Sequence, residues 1–398
     1  MPLSRRRAVA AAGLFALAAL APGAYAPVAA RAAAEAAPTA YWVYFGTYTG
    51  NKDGDSKGIY RAKMDIKTGK LSAAELAFEM GSPSFLAVHP NGRFLYAVGE
   101  GGGKEGGPVV AFGLDQKTGK LTKLNEALSG GSGPCHVAVD PTGMFAGVAN
   151  YGGGSSAFFK IGADGKIGER VTFTQHAGSG PNKGRQEAPH AHCVQFVPGT
   201  KYVVGLVADL GLDQVKVFAQ SVTKADVVES GAFDIALPPG AGPRHIAVAG
   251  DGKYAYVCGE LDSTVNVVRL GFAKTDKSEV VQSLSTLPNP VKGNSTAECV
   301  LHPSGKYVYV SNRGHNSVAV FKVNDDRKLT AAGHVTGDIK TPRNFAVDPT
   351  GKWMLVASQD GGKVGVWEID ATTGAGKETG STTAVSRPVC VKFVPVAE

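Results

Sequence analysis

A short motif that recurs seven times constrains the fold of this chain more than any other feature of its sequence. Each copy is a run of mostly apolar residues, and successive copies lie about 50 residues apart. The copies span residues 83–90, 134–141, 192–198, 243–248, 297–303, 342–349 and 388–393. Repetition of this kind is typical of one architecture built from similar units, rather than of the roughly two or three separate domains that length alone suggests.

Each repeat has the pattern of four short β-strands. In six repeats the first apolar run is followed by a tight turn that contains glycine, such as Asn91-Gly92 or Asp251-Gly252. A second β-rich run follows, then a third, and a polar turn such as residues 115–120 leads to the fourth. Four strands in about 50 residues predict a β-propeller blade. Because no 3.6-residue period is sustained after residue 26, the predicted fold class is all-β.

The two ends of the chain each supply part of one blade. Residues 388–394 form a first strand with no second strand after them, and residues 41–46 form a second strand with no first strand before them. Residues 58–65 and 75–80 supply the third and fourth strands. Sharing a blade would join the ring and remove the exposed sheet edges. We therefore predict a seven-bladed β-propeller, residues 39–398, closed by one blade shared between the N- and C-termini.

The N-terminus has the pattern of a secretory signal peptide over residues 1–26. Three arginines, Arg5 to Arg7, precede an apolar stretch at residues 8–21, and Ala24-Tyr25-Ala26 fits a cleavage site. The apolar stretch is too short for a stable membrane span. Residues 27–38 are expected to be a flexible leader. The protein is thus expected to be exported, periplasmic or secreted, by the Sec or the twin-arginine route, with an uncleaved anchor as the alternative.

Composition argues against several functional classes. The net charge of +7 falls to +4 once the three arginines of residues 1–26 are removed, and no basic run with interleaved aromatics follows, so nucleic acid is not an expected partner. The five cysteines have neither metal-ligand spacing nor an even count, and they are expected to be buried thiols. His190 and His192 have a usable metal-ligand spacing, but no third ligand is evident nearby. No cofactor or metal is expected.

Polar residues cluster at two positions of the repeat that a propeller places at one end of its channel. These positions lie just before the first strand of each blade and just after the second strand. The candidate residues there are His136, His192, Arg244, His245, Glu260, Glu298, Arg313 and Arg343. A single histidine beside a strand end is usually a structural hydrogen-bonding residue, whereas their convergence predicts an anion-binding pocket at the channel mouth. A hairpin would make Arg244 and Glu260 neighbours.

Residues 174–191 break the regular spacing of the strands. The stretch 178–187 has no strand character and leads directly to His190 and His192. A long loop that brings two histidines to the channel mouth is typical of a functional loop, with a plain insertion as the alternative.

Several stretches together resemble the lactonase family of seven-bladed propellers, the 6-phosphogluconolactonase-like group related to carboxy-muconate cyclases. The matching stretches are residues 46–49, 58–60, 83–90, 150–154, 189–192, 242–245, 294–298 and 311–315. The resemblance covers most of residues 41–398. It implies a metal-free enzyme that acts on a lactone ring, with a histidine of 189–192, Arg244, Glu260 and Arg313 in the site.

The expected reaction is hydrolysis of a sugar-acid lactone. Glu260 or His192 would activate water, Arg244 would stabilise the oxyanion, and Arg313 and Arg343 would hold a carboxylate or phosphate. The remaining expected substrate-binding residues are His136, His190, His245 and Glu298. Because sugar-phosphate lactones are cytosolic, an exported copy could instead act on an unphosphorylated lactone. Cycloisomerisation of an unsaturated dicarboxylate and a non-catalytic binding propeller are the alternatives. The only expected partner is the small-molecule lactone, and the expected state is a monomer or a weak dimer.

Overall fold

A computed structural model describes residues 38–199, 203–220, 227–229, 233–273 and 275–397. The predicted signal peptide, residues 1–26, lies outside the described residues, as does the predicted leader 27–38 except for Pro38. No helix in the described part of the chain is long and apolar enough to span a membrane.

The described residues form short β-strands in the order that the repeat predicts. In chain order they are β1 Ala40–Thr47, β2 Gly58–Asp65, β3 Glu75–Glu79, β4 Pro83–Val88, β5 Phe94–Gly99, β6 Pro108–Leu114, β7 Leu121–Leu128, β8 Pro134–Val139, β9 Phe145–Asn150, β10 Ser155–Ile161, β11 Ile167–Gln175, β12 Ala191–Val197, β13 Val203–Asp209, β14 Gln214–Gln220, β15 Val227–Glu229, β16 Ile235–Ala236, β17 Pro243–Val248, β18 Tyr254–Gly259, β19 Thr264–Ala273, β20 Asp276–Ser285, β21 Ser295–Leu301, β22 Tyr307–Arg313, β23 Ser317–Val323, β24 Leu329–Val335, β25 Pro342–Val347, β26 Trp353–Ser358, β27 Lys363–Ile369, β28 Gly376–Ala384 and β29 Pro388–Pro395.

The strands assemble into seven antiparallel sheets within the described ranges, each a blade. Their orders are β4-β5-β6-β7, β8-β9-β10-β11, β12-β13-β14-β15, β17-β18-β19-β20, β21-β22-β23-β24, β25-β26-β27-β28 and β29-β1-β2-β3, and β16 also pairs with β14. The first strand of each blade faces the axis, and we call β4, β8, β12, β17, β21, β25 and β29 the inner strands. These strands coincide with the seven copies of the sequence motif.

The last blade closes the ring. Its inner strand, β29, comes from the C-terminus and pairs with β1, from Tyr41 opposite Pro395 to Gly46 opposite Cys390. β29 also contacts the inner strands on both sides, β25 and β4. The predicted seven-bladed propeller, closed by a blade shared between the termini, is therefore confirmed.

Burial along the strands explains why this arrangement is stable. The second strands β5 and β13 are buried at every position, since they pack between neighbouring blades. Outer strands such as β7 are exposed at several positions, because only their inward face meets another blade. Apolar side chains from adjacent blades pack face to face, including the fully buried Phe112 and Trp367. The hydrophobic effect thus stacks the sheets around one axis.

Candidate active site

An irregularity in strand pairing recurs at the start of every inner strand. The first paired residue is a proline in most blades, and the regular ladder resumes one or more residues later. The residues left outside the ladder are Ser84, Cys135, His192, Arg244 with His245, Ala297 with Glu298, Arg343 and Val389. A β-bulge re-aims side chains. We call these bulged residues, with the residues that end or directly follow the second strands, the rim.

The bulged residues enclose a small cavity at the axis. Seven of them line it together with three neighbours: Ser84, Cys135, His192, Arg244, His245, Arg343 and Val389, with Tyr48, Phe85 and Glu100. The cavity volume is about 10 Å³, roughly the space that one water molecule needs. A larger molecule would therefore lie above it, with one small group or one water inside.

Glu260 stands beside this cavity and contacts three arginines. Its carboxylate lies 2.8 Å from Arg244 Nε, 3.2 Å from Arg313 Nη2 and 2.7 Å from Arg185 Nη2. Burial alone would raise the pKa of Glu260, but the guanidiniums outweigh burial and lower that pKa to about 2. Burial and the neighbouring Arg244 lower the pKa of Arg313 to about 10. Glu260 and Arg313 are therefore both charged at neutral pH.

Arg185 was not among the predicted site residues, although the loop that carries it was. Its guanidinium reaches Glu260 and donates to Tyr151 Oη over 3.2 Å. The adjacent Gln186 is fully buried and fixes the loop, because its amide donates to Asp213 Oδ1 and to Leu210 O. The missed signal is the pair Arg185-Gln186 itself, a cation beside a buried amide inside a polar loop.

The two histidines of this loop occupy different positions. His192 lines the cavity, and its Nδ1 lies 3.9 Å from Cys135 Sγ. His190 lies outside the cavity, stacked on Tyr151 with the ring centroids 4.6 Å apart. Both ring nitrogens of His190 meet protein atoms, at 3.0 Å from Tyr151 O and 3.2 Å from Glu187 Oε1. The geometry therefore makes His190 a support for Tyr151, while His192 faces the cavity.

A second layer of polar residues lies beneath the cavity. His136 stacks on Phe85 at 3.9 Å between ring centroids, and its Nδ1 accepts a hydrogen bond from Val194 N. His245 Nδ1 lies 2.8 Å from Glu298 Oε1, and Asn344 Nδ2 donates to the other carboxylate oxygen. His245 alone among these histidines belongs to both layers, because it also lines the cavity.

Arg343 differs from the other rim arginines. Its guanidinium lies 5.2 Å from the centroid of the Tyr48 ring, whose hydroxyl donates to Glu100 Oε2 over 3.0 Å. Among the described residues, the guanidinium makes no hydrogen bond or ion pair with another side chain. Stacking orients the cation toward the cavity and leaves its N–H donors available.

Buried polar atoms without a hydrogen-bond partner are confined to the rim. Across the described ranges there are five: Ser84 Oγ, Asn150 Oδ1, Arg244 Nε, Arg313 Nε and Gln359 Oε1. Arg244 Nε is close enough to Glu260 for an ion pair, yet its N–H is not aimed at the carboxylate oxygen. Such atoms cost free energy, and they collect where a ligand satisfies them.

Among the described residues, the cysteines and the potential metal ligands form neither a disulfide nor a metal site. All five cysteines are buried and none forms a disulfide. No three His, Cys, Asp or Glu side chains of the described residues are grouped so as to hold a metal ion. The rim is thus a cationic pocket with imidazoles at its base.

A seven-bladed propeller with such a pocket defines a class of protein, and comparison with known proteins identifies it. The family model described as "Lactonase, 7-bladed beta-propeller" matches residues 42–393. The chain therefore belongs to the lactonase family, whose name denotes hydrolases of cyclic esters, as the sequence resemblance implies.

Individual relatives cover almost the whole chain. It is 37% identical to the 6-phosphogluconolactonase of Bacillus subtilis, over 89% of this chain and 99% of that protein. The solved structure of the periplasmic gluconolactonase PpgL of Pseudomonas aeruginosa has a TM-score of 0.78 and 27% identity, over 90% of this chain and 100% of the other. A solved structure of a Lactobacillus plantarum protein has a TM-score of 0.80 and 30% identity, over 89% of this chain and 99% of the other.

Proposed function

We propose that this protein hydrolyses the lactone of a sugar acid that carries an anionic group. The observation that carries the proposal is the rim, where the unpartnered Nε–H groups of Arg244 and Arg313 belong to a cluster of arginines beside a small cavity that Arg244 lines. A lactone supplies what these donors lack, because its carbonyl oxygen becomes an oxyanion during ring opening.

The charge balance of the rim favours an anionic substrate. Four guanidiniums, those of Arg185, Arg244, Arg313 and Arg343, face two carboxylates, Glu260 and Glu100. These six groups together carry a net charge of +2, four positive charges against two negative ones. A phosphate monoester, or a carboxylate together with the developing oxyanion, would neutralise this charge.

The geometry suggests a role for each cation. Arg244 lines the cavity and its Nε–H makes no hydrogen bond within the described residues, so Arg244 would donate to the oxyanion. Arg343, stacked on Tyr48, would hold the anionic group of the substrate. Arg313 donates to Thr296 O over 2.8 Å, and its charge would support the binding of both the oxyanion and the anionic group.

An imidazole is a better candidate for the proton acceptor than the carboxylate of Glu260. Three arginines and a pKa of about 2 make that carboxylate a weak base, and its contacts fit a group that orders the cations. His192 and His245 both line the cavity. Burial, and then the neighbouring arginines, hold the pKa of each well below its usual range, so both rings are neutral at pH 7.

The relatives support lactone hydrolysis but differ in the lactone that their names indicate. One is named for a phosphorylated lactone and another, periplasmic, for gluconolactone. We propose that the N-terminal segment exports this protein, which cell fractionation tests directly. Location outside the cytoplasm would favour a sugar-acid lactone whose anionic group is a carboxylate rather than a phosphate.

A panel of lactones tests the proposal. Purified protein should hydrolyse 6-phosphogluconolactone, gluconolactone or another sugar-acid lactone much faster than the Arg244→Ala/Glu260→Ala double variant does. Equal rates for wild type and variant would reject lactone hydrolysis at the rim. Carboxy-muconate belongs in the same panel, because the surplus charge also suits a dicarboxylate, and a loss of its ultraviolet absorbance would favour cycloisomerisation.

A further inference from the structure

His245 and Glu298 form a buried imidazole–carboxylate pair beneath the cavity. They lie at the bulged starts of adjacent inner strands, β17 and β21. Both are almost fully buried, and His245 Nδ1 is 2.8 Å from Glu298 Oε1. His245 also lines the cavity, whereas Glu298 does not. One ring nitrogen is therefore committed to the carboxylate, and the ring connects Glu298 to the site.

The hydrogen bonds around Glu298 determine which nitrogen of His245 carries the proton. Val391 N–H donates to Asn344 Oδ1 over 2.9 Å, so the side-chain amide of Asn344 must present its NH2 group to Glu298. Cys299 N–H donates to Glu298 Oε1 over 3.0 Å. Because these neighbours all donate, an ionised Glu298 accepts the Nδ1–H of His245 and leaves a lone pair on Nε2.

We infer that His245 is the general base of the reaction and that Glu298 is the residue that positions it. This inference rests on the lactone hydrolysis proposed above. No described residue forms a hydrogen bond with His245 Nε2. The cavity that His245 lines has room for one water molecule. An ordered water there would lie between the imidazole and a lactone seated above it.

His192 lines the same cavity but lacks a comparable partner. In the described residues, the side chain that contacts its Nδ1 is Cys135, with Sγ at 3.9 Å, and that thiol donates to the backbone carbonyl of His192. No carboxylate would balance the positive charge of an imidazolium at this position. Glu298 supplies that balance for His245, as the acidic member of a catalytic triad does for its histidine.

The step conserves every atom and proton. His245 Nε2 takes one proton from the water, and the resulting hydroxide forms a bond to the lactone carbonyl carbon. Arg244 stabilises the oxyanion. When the tetrahedral intermediate collapses, the ring C–O bond breaks, and the Nε2–H of the imidazolium protonates the leaving ring oxygen. The product is the open-chain hydroxy acid, which releases its carboxyl proton to solvent.

The pair predicts a pH dependence near neutrality. Charged or titratable groups that face it from the surrounding strands are Arg244, Lys392, Arg343, Glu260, His136, His192, Cys193, Cys258, Cys299 and Cys390. Burial raises the pKa of Glu298 to about 7, against the opposing effect of Lys392 and Arg244. Adding one proton to the pair places a hydrogen on His245 Nε2 in both possible forms, a carboxylate with an imidazolium or a protonated Glu298 that donates to Nδ1, so the base is lost.

Kinetics of a charge-removing variant test this assignment. For wild type, kcat/KM should rise with pH through about 7. Glu298→Gln should lower kcat about 10- to 100-fold and change KM little. It should also abolish the rise of kcat/KM near pH 7, because an amide does not titrate. Glu169→Gln, a surface change, is the control. A Glu298→Gln enzyme that keeps the wild-type pH profile would overturn the inference.

Nitrogen-15 NMR of labelled histidines tests the pair without a substrate. The His245 ring, assigned through its contact with Phe85 at 5.6 Å between centroids, should be the Nδ1–H form at pH 8 and gain a proton on Nε2 as the pH falls through about 7. An Nε2–H form at pH 8 would contradict the inference, even if Glu298→Gln failed to fold. Should wild type hydrolyse no lactone, the proposed function fails, while the spectra still decide whether the pair exists.

Discussion

The two ends of the inner hairpins use buried polar residues in opposite ways. At the end away from the rim, which we call the far end, the carboxylate of Asp348 accepts hydrogen bonds from Trp353 N at 2.7 Å, Thr350 N at 3.1 Å and Thr350 Oγ1 at 2.5 Å. Asp140 repeats this pattern in another blade, with Phe145 N and Thr142 N. In these two blades the carboxylate accepts the hydrogen bonds that close the turn after the inner strand.

The rim has the opposite character. All five buried side-chain atoms without partners in the described residues lie there, and none lies at the far end. The inner hairpins therefore have buried polar groups with partners in the far-end turns and buried polar atoms without partners at the rim. The comparison teaches that burial of a polar group does not reveal a site, whereas burial without hydrogen-bond satisfaction does. Variants at the rim and at the far end test this difference.

The largest effect on stability is expected for Glu260→Gln. Removing this charge leaves Arg244 and Arg313 buried without a counter-ion, which should cost about 3–5 kcal/mol of unfolding free energy in urea titrations at pH 7. Because the pKa of Glu260 is depressed to about 2, its contribution is complete above its ordinary value near 4.5 and is lost as the pH falls toward 2. A stability difference that did not shrink over that interval would contradict the assigned ion pairs.

The next largest effect is expected on catalysis from Arg244→Ala. Loss of a donor to the oxyanion should lower kcat about 100- to 1000-fold with a smaller change in KM. Arg327→Ala is the matched control, since Arg327 pairs with Asp251 near the far-end turn of the same blade. Equal losses from both variants would mean that the two ends do not differ in function.

Asp348→Asn should separate stability from activity at the far end. The variant amide would present a donor where Thr350 or Trp353 already donates, so unfolding free energy should fall by about 1–3 kcal/mol. Lactone hydrolysis by the folded protein should stay within twofold of wild type. A catalytic defect in folded Asp348→Asn would show that the far end contributes to the site.

The smallest of these effects is expected from Arg185→Ala. Its guanidinium is partly exposed and bonds Glu260 from the loop, so removing it should raise KM about tenfold and affect kcat less. Lys183→Ala, a change in an exposed residue of the same loop, should leave both constants unchanged. An unchanged KM in Arg185→Ala would exclude Arg185 from substrate binding.

The sequence predicted the architecture because a repeat of about 50 residues records a periodic physical requirement. It also placed Arg244 beside Glu260, since hairpin pairing brings the start of one strand next to the end of the following one. The sequence did not reveal the bulges. Each bulge arises from an extra residue in the inner strand relative to its partner strand, and it has no compositional signature. For that reason the two polar layers, with His192 above and His136 below, were not separated.

Arg185 was missed for a different reason. Loop residues have no periodicity, so the direction of Arg185 depends on the burial of Gln186 against Asp213, a contact between distant parts of the chain. His190 was expected to bind substrate because a long loop brings it to the channel mouth together with His192. The structure places only His192 in the lining of the small cavity, because the contacts with Tyr151 and Glu187 hold the His190 ring outside it.

A crystal structure with 6-phosphogluconate, the open-chain product of the phosphorylated lactone, would test the central claim most directly. We predict that one anionic group of the product lies within hydrogen-bonding distance of Arg244 Nε and that the other contacts Arg343, which satisfies donors that now lack partners. A product molecule bound away from the rim, with those N–H groups still without acceptors, would contradict the account.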